Sequence, residues 1–196
     1  MAKKRSGQVQ TTTTSGPNKT YIIVGAVIFL FVAGFVALVV LDSRQQAAST
    51  PPGQVETFEV GPGGQHTETD VDYDQSPPAG GEHNPVWQNE GFYDAPVRDE
   101  NAVHTLEHGA VWIAYSPDLP QDEVENIRNL VEGQTCMLAS PYEGLRAPIV
   151  ASAWGSQLPL ESADSPDLER FIRAFRQGPQ TPEPGATCSG GTADTV

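Results

Sequence analysis

Between Tyr21 and Leu41 the chain runs for about twenty residues through Ile, Val, Ala, Phe, Leu and Gly without a charge. A helix of that length, at ~1.5 Å rise per residue, is about 31 Å long and matches the apolar thickness of a bilayer. The apolar region of a signal peptide is shorter, about 7–15 residues, and ends at a small-residue cleavage site. Ala47-Ala48 matches such a site only weakly, so the expectation is a retained transmembrane helix over 21–41. Lys3, Lys4, Arg5 and Lys19 precede the span without an acid, and every Asp and Glu follows it. Basic flanks stay in the cytoplasm, which predicts a single-pass cell-membrane protein with its N-terminus inside and everything past Asp42 extracytoplasmic. The whole chain has a net charge of −14, and since all four basic residues before the span lie inside, the outer part is more acidic still, which argues against a nucleic-acid partner.

The span divides the chain. Residues 1–20, rich in Thr, Ser and Gln, read as a disordered cytoplasmic tail, and 42–54 as a polar linker. Residues 55–178 suit one extracytoplasmic domain of about 120 residues. Residues 179–196 read as a Gly-, Thr- and Ser-rich tail tethered through Cys188. Gly61 to Val103 is dense in Gly, Pro, Asp and Asn, which predicts loops with short strands at most, such as Val55 to Val60. Beyond it, Ala110–Tyr115, Thr135–Ala139 and Pro148–Trp154 read as strands. Gln121–Val131 reads as a helix presenting Val124, Ile127 and Val131. Ser165-Pro166-Asp167 opens a second helix, with Leu168, Phe171, Ile172 and Phe175 on one face and Gly178 at its end. The fold class is therefore α+β: a small sheet with two packed helices and a loop-rich first half.

All four histidines lie between positions 66 and 108. His104 and His108 stand four apart in His-Thr-Leu-Glu-His-Gly, spacing that puts two imidazoles on one helical face. His66 follows a glycine-rich turn and His83 ends a Pro-Pro-Ala-Gly-Gly loop, so both can swing toward that pair. Neutral imidazole is the commonest protein ligand for late transition metals. His83, His104 and His108 are the expected metal ligands, with His66 as a fourth candidate and Glu107 orienting an imidazole from behind. An oxidising compartment and the thioether of Met137 point to copper, Met137 joining if the ion is Cu(I), with zinc as the alternative. Met137 equally suits a strand that fills the core.

The two cysteines, Cys136 and Cys188, both fall on the outer side, where one disulfide closing a loop of about fifty residues is the simplest outcome. The other reading makes Cys136, beside Met137, a soft metal ligand.

Ser76-Pro-Pro-Ala-Gly-Gly-Glu-His83, Gly91-Phe-Tyr-Asp94, Val103 to Gly109, Ser140-Pro-Tyr142, Ala153-Trp-Gly155 and the stretch from Pro182 to Gly191 together resemble the bacterial domain-of-unknown-function family numbered 3105. The resemblance covers roughly residues 55 to 191. It implies an extracytoplasmic, often membrane-anchored domain and brings no activity with it. Many members of that family carry a Cys just before the Gly-x-Tyr motif, where this chain has Glu90, so the resemblance leaves the partner of Cys188 open.

His104-Thr-Leu-Glu107-His108 also matches H-x-x-E-H, the pattern of inverted zinc peptidases. That chemistry needs a long helix and a distant third ligand, and Gly109 followed by a β-like run leaves room for one turn. Glu161 and Glu169 are the available third ligands, and nothing singles them out. Ser140, Ser152 and Ser156 sit in no nucleophile elbow, Trp87, Tyr93, Trp112 and Trp154 are ordinary core aromatics, and Arg170, Arg173 and Arg176 form a solvated stripe. We assign no catalytic residue and no organic cofactor. The expected function is metal handling or delivery at the membrane, with a respiratory oxidase as a possible recipient. A non-catalytic subunit of a membrane complex and a zinc hydrolase are the alternatives.

Overall fold

The computed structural model describes residues 19–49 and 51–196, with side chains described for 21–41 and 51–196. The chain forms two units, one up to residue 45 and one from residue 46 onward. The first holds all but the last turn of helix α1, Lys19–Ser49, whose Tyr21–Leu41 stretch has a mean hydropathy of 3.1 and is long and apolar enough to cross a membrane. Of the tail expected over 1–20, only Lys19 and Thr20 are described, and they open α1. The linker expected from residue 42 is helical as far as Ser49. Arg44, Gln45, Gln46, Ala47 and Ala48 are good helix formers, and Pro51-Pro52 stand just beyond, where a helix cannot continue.

The second unit is built on a six-stranded mixed sheet. Its elements are β1 (Glu56–Thr57), β2 (Gly91–Phe92), α2 (Asp99–Glu107), β3 (Val111–Tyr115), α3 (Gln121–Val131), β4 (Met137–Pro141), β5 (Ile149–Ala153), β6 (Ser156–Leu160) and α4 (Pro166–Phe175). Strand order is β1-β6-β5-β3-β4-β2. The parallel pair β3 and β4 is joined by α3, as a parallel connection requires, and β5 runs antiparallel to β3. β5 and β6 form a tight hairpin, Ala153 opposite Ser156. Gly155 sits in it at φ +66°, where a Cβ would meet the Phe58 carbonyl at 3.2 Å.

Every residue of β3, β4 and β5 is buried, so both faces of the sheet are covered. One face carries Val111, Ile113, Met137, Ile149 and Leu158 against Ile127 and Val131 of α3 and Leu168 and Phe171 of α4. The other carries Trp112, Ala114 and Leu138 against Ala102, Val103 and Leu106 of α2, with Trp154 beside them. The α+β class and the two helices expected from periodicity are present, and Ser165 caps α4 by accepting the Asp167 N–H at 3.3 Å.

A third helix, α2, occupies nine residues where loop and a single turn were expected. Eight of them, Glu100 to Glu107, are buried. With polar residues buried on one side and apolar residues on the other, α2 shows no contrast between an apolar face and a solvated one. Gly109 ends it in a Schellman turn: the Gly109 N–H donates to Leu106 O (2.9 Å) and the Ala110 N–H to Thr105 O (3.1 Å). At φ +94° a Cβ on Gly109 would also strike the Gln177 backbone.

Asp99, at the start of α2, accepts the Tyr142 hydroxyl at 2.9 Å. Burial pushes its carboxyl up to about 6, helped by Glu100 and opposed by Tyr142. A carboxyl raised in the folded state binds its proton more tightly there than in the unfolded chain. Stability is then lost as pH climbs from about 4 to about 6 and stays reduced above. Asp99→Asn should therefore be about 1 kcal/mol more stable than wild type at pH 7, the relieved desolvation outweighing the lost helix-terminus attraction. The gain should vanish below pH 4; urea unfolding at the two pH values checks it.

Candidate metal centre

His104 and Glu107 lie three apart on α2, beside the stripe of Ala102, Val103 and Leu106 that packs on the sheet. His66 and His83 arrive from the glycine-rich loops, joined by a parallel bridge in which the Thr67 N–H donates to His83 O (2.7 Å) and the His83 N–H to Gln65 O (2.9 Å). Around one carboxylate oxygen, Glu107 Oε2, stand the Nε2 atoms of His83 at 3.0 Å, His66 at 3.7 Å and His104 at 3.9 Å. These four ligand atoms all lie within 4.8 Å of one another. Ligands bound about 2.1 Å from one ion are separated by about 3.0–4.2 Å, depending on angle, so side-chain shifts of about half an ångström complete the fit.

The opposite ends of these groups are already committed. His83 Nδ1 lies 2.7 Å from Gly81 O and His104 Nδ1 lies 2.6 Å from Asn84 O. A carbonyl only accepts, so each Nδ1 carries a proton and each Nε2 is the atom turned inward. Glu107 Oε1 accepts the Gly64 N–H, leaving Oε2 facing the imidazoles. Lone pairs crowded this closely require a shared cation, either a proton or a metal ion. Backbone carbonyls fixing the outer nitrogen are the usual way a protein sets the tautomer of a metal-binding histidine.

Glu107 and His83 are fully buried, His104 is nearly so, and His66 is the open edge at 39% exposure. Burial pulls the His104 imidazole down to about 4, against the Asn84 carbonyl and with help from His108 and His83, so near neutral pH this ring is uncharged and available to bind. Gly63, at φ +89°, packs against the Glu107 carboxylate and Pro182, and a side chain there would collide with both.

His108, expected as a ligand, caps α2 but is not among the four. Its Nδ1–H donates to Thr187 O at 2.6 Å, and its Nε2 faces Glu183 Oε2 at 3.5 Å. The His104 and His108 rings are 4.6 Å apart, but His108 Nε2 faces Glu183 rather than Glu107, so helical spacing brings the rings adjacent without joining their nitrogens in one group. Met137 lies on the opposite face of the sheet, fully buried beside the α3 and α4 contacts, so its thioether cannot reach the histidines. Glu107, expected behind an imidazole, has its oxygen among the nitrogens instead. Glu161 and Glu169 are exposed and outside the group, and Glu169 pairs with Arg173 at 3.0 Å.

Cys136 and Cys188 are bonded to one another, Cα atoms 5.2 Å apart, and neither cysteine is free. Glu90 accepts the Cys136 N–H at 2.6 Å. The segment from 179 onward is hydrogen-bonded along its length: the Glu183 N–H donates to Glu107 O, the Glu90 N–H to Cys188 O and the Thr192 N–H to Trp87 O.

The model of the family described as "Protein of unknown function (DUF3105)" matches residues 65–190, nearly two thirds of the chain. The chain belongs to the DUF3105 family. No curated protein and no solved structure matches it. The DUF3105 match begins just before His66 and ends just after Cys188, so all four clustered side chains, His108 and the disulfide fall inside the family domain, and α1 falls outside it.

Proposed function

We propose that this DUF3105 domain is an extracytoplasmic module, held at the membrane by α1, that binds one divalent transition-metal ion through His66, His83, His104 and Glu107 for metal handling or delivery. The observation that carries this reading is the convergence of three Nε2 atoms on Glu107 Oε2 while His83 and His104 are held from behind by carbonyl oxygens. The outer location rests on the basic residues before the span and on the disulfide. Three imidazoles and a carboxylate without sulfur suit Cu(II) or Zn(II) better than Cu(I), and the usual affinity order places Cu(II) first.

Full-length protein in detergent, stripped of metal, should bind one equivalent of Cu(II) tightly and, less tightly, one of Zn(II) at this cluster. The variant with His66, His83 and His104 all replaced by Ala should take up neither. Ligand imidazoles must shed their protons to bind, so uptake should weaken as the solution is acidified. If wild type and triple variant titrate alike, the cluster is a hydrogen-bonded element of the fold and the interaction-subunit reading takes its place.

A further inference from the structure

His108 repeats, one ring further out, the arrangement of the inner ligands. Its Nδ1–H is held by a backbone carbonyl, Thr187 O at 2.6 Å, and its side chain is only 6% exposed. Its Nε2 faces a carboxylate oxygen, Glu183 Oε2, at 3.5 Å. That gap exceeds the usual N–H···O hydrogen bond of about 2.7–3.2 Å and falls within the ~3.0–4.2 Å spacing of two ligands on one ion. An ion pair with a half-exposed carboxylate contributes little by itself. The position lies directly beside the inner group, the His104 and His108 ring centres being 4.6 Å apart, with the Trp87 indole covering His108 at 5.0 Å.

The outer position has one imidazole where the inner has three, and the two carboxylates differ in exposure. Glu107 is fully buried, whereas the Glu183 side chain is 48% exposed. The backbone of Glu183 is nevertheless anchored, its N–H donating to the carbonyl of Glu107 at 3.2 Å, and the segment is tied down again at Cys188. Glu183 thus combines a fixed backbone with a half-exposed carboxylate, next to an oriented imidazole whose ring lies against that of His104. We propose that His108 and Glu183 form an outer, weaker position for the same class of divalent ion, through which the inner ion exchanges with solution and with an acceptor. The inference rests on the metal-binding reading above. It routes the ion past His108 rather than past the exposed edge of His66.

The test loads full-length protein in detergent with one equivalent of Zn(II) and follows transfer to an excess of a chromogenic chelator by stopped flow. His108→Ala and Glu183→Gln should each slow transfer about tenfold or more, the scale on which a lost metal-orienting contact acts. The affinity for the first ion should change less than about threefold, and a weaker second equivalent titrated by wild type should disappear. Glu183→Gln alters a half-exposed side chain and keeps the test decisive should His108→Ala unfold. Unchanged transfer rates overturn the proposal and place the route at His66. Loss of the first ion in His108→Ala also overturns it and assigns His108 to the inner group. A wild type that binds no ion defeats the metal-binding reading itself, whereas one tight ion with unaltered exchange defeats only the outer position.

Discussion

Glu107→Gln should lower divalent-metal affinity by more than about 100-fold, beyond the 10–100-fold expected of a residue that only orients a ligand from behind. The carboxylate supplies the one negative charge in the cluster, and its Oε2 is the atom around which the three imidazoles are arranged. The amide keeps the shape and loses that charge. His83→Ala and His104→Ala should abolish stoichiometric uptake, because each removes a buried nitrogen already oriented by a carbonyl. His66→Ala, at the exposed edge, should leave a weakened site that water completes. Glu107→Ala should in addition destabilise the metal-free fold by about 2–4 kcal/mol, since it strips the Gly64 N–H and the buried His83 of their partner. Isothermal titration with Zn(II) and Cu(II), alongside urea unfolding of the metal-free proteins, separates the two effects. A Glu107→Gln protein that binds as wild type does would remove the carboxylate from the ligand set.

Breaking the disulfide should cost nearly all of its stabilisation without removing a ligand. For a closed loop of 52 residues the chain-entropy contribution is about 4 kcal/mol. Replacing Cys136 and Cys188 by Ser should then lower the thermal midpoint by roughly 10 °C. Differential scanning calorimetry of the double variant against wild type measures it, and an unchanged midpoint would contradict it. None of the four clustered side chains belongs to the segment that Cys188 anchors, so the first metal ion should still bind. His108 loses its Thr187 carbonyl in the same variant, and the outer position should be the part that fails.

The hydropathy of Tyr21–Leu41, the charge asymmetry around it, the periodicity of α3, the cap and periodicity of α4 and the apolar runs of β3 and β5 were legible because each is a local property of consecutive residues. The histidines were legible as a group for a simpler reason: a chain with four of them placed all within one stretch. What could not be read was direction. α2 escaped because it is short: Ala102, Val103 and Leu106 make a stripe of only three apolar residues, the chain before it is dense in turn residues, and Gly109 ends it at once. The i, i+3 spacing of His104 and Glu107 was the available signal for the carboxylate, and it was as strong as the i, i+4 spacing of His104 and His108. By itself, then, the sequence determined the span, the α+β class and the residues rich enough in chemistry to matter. Only the tertiary structure decided which of them share a site. The Gly81 and Asn84 carbonyls turn His83 and His104 inward, the Gly64 N–H sets Glu107 among them, and the bridge to His83 brings in His66. Thr187 turns His108 away, and strand alternation puts Met137 on the far side of the sheet. Apart from the Gly81 carbonyl, two residues from His83, these contacts join residues distant in sequence, and spacing along the chain carries no record of them.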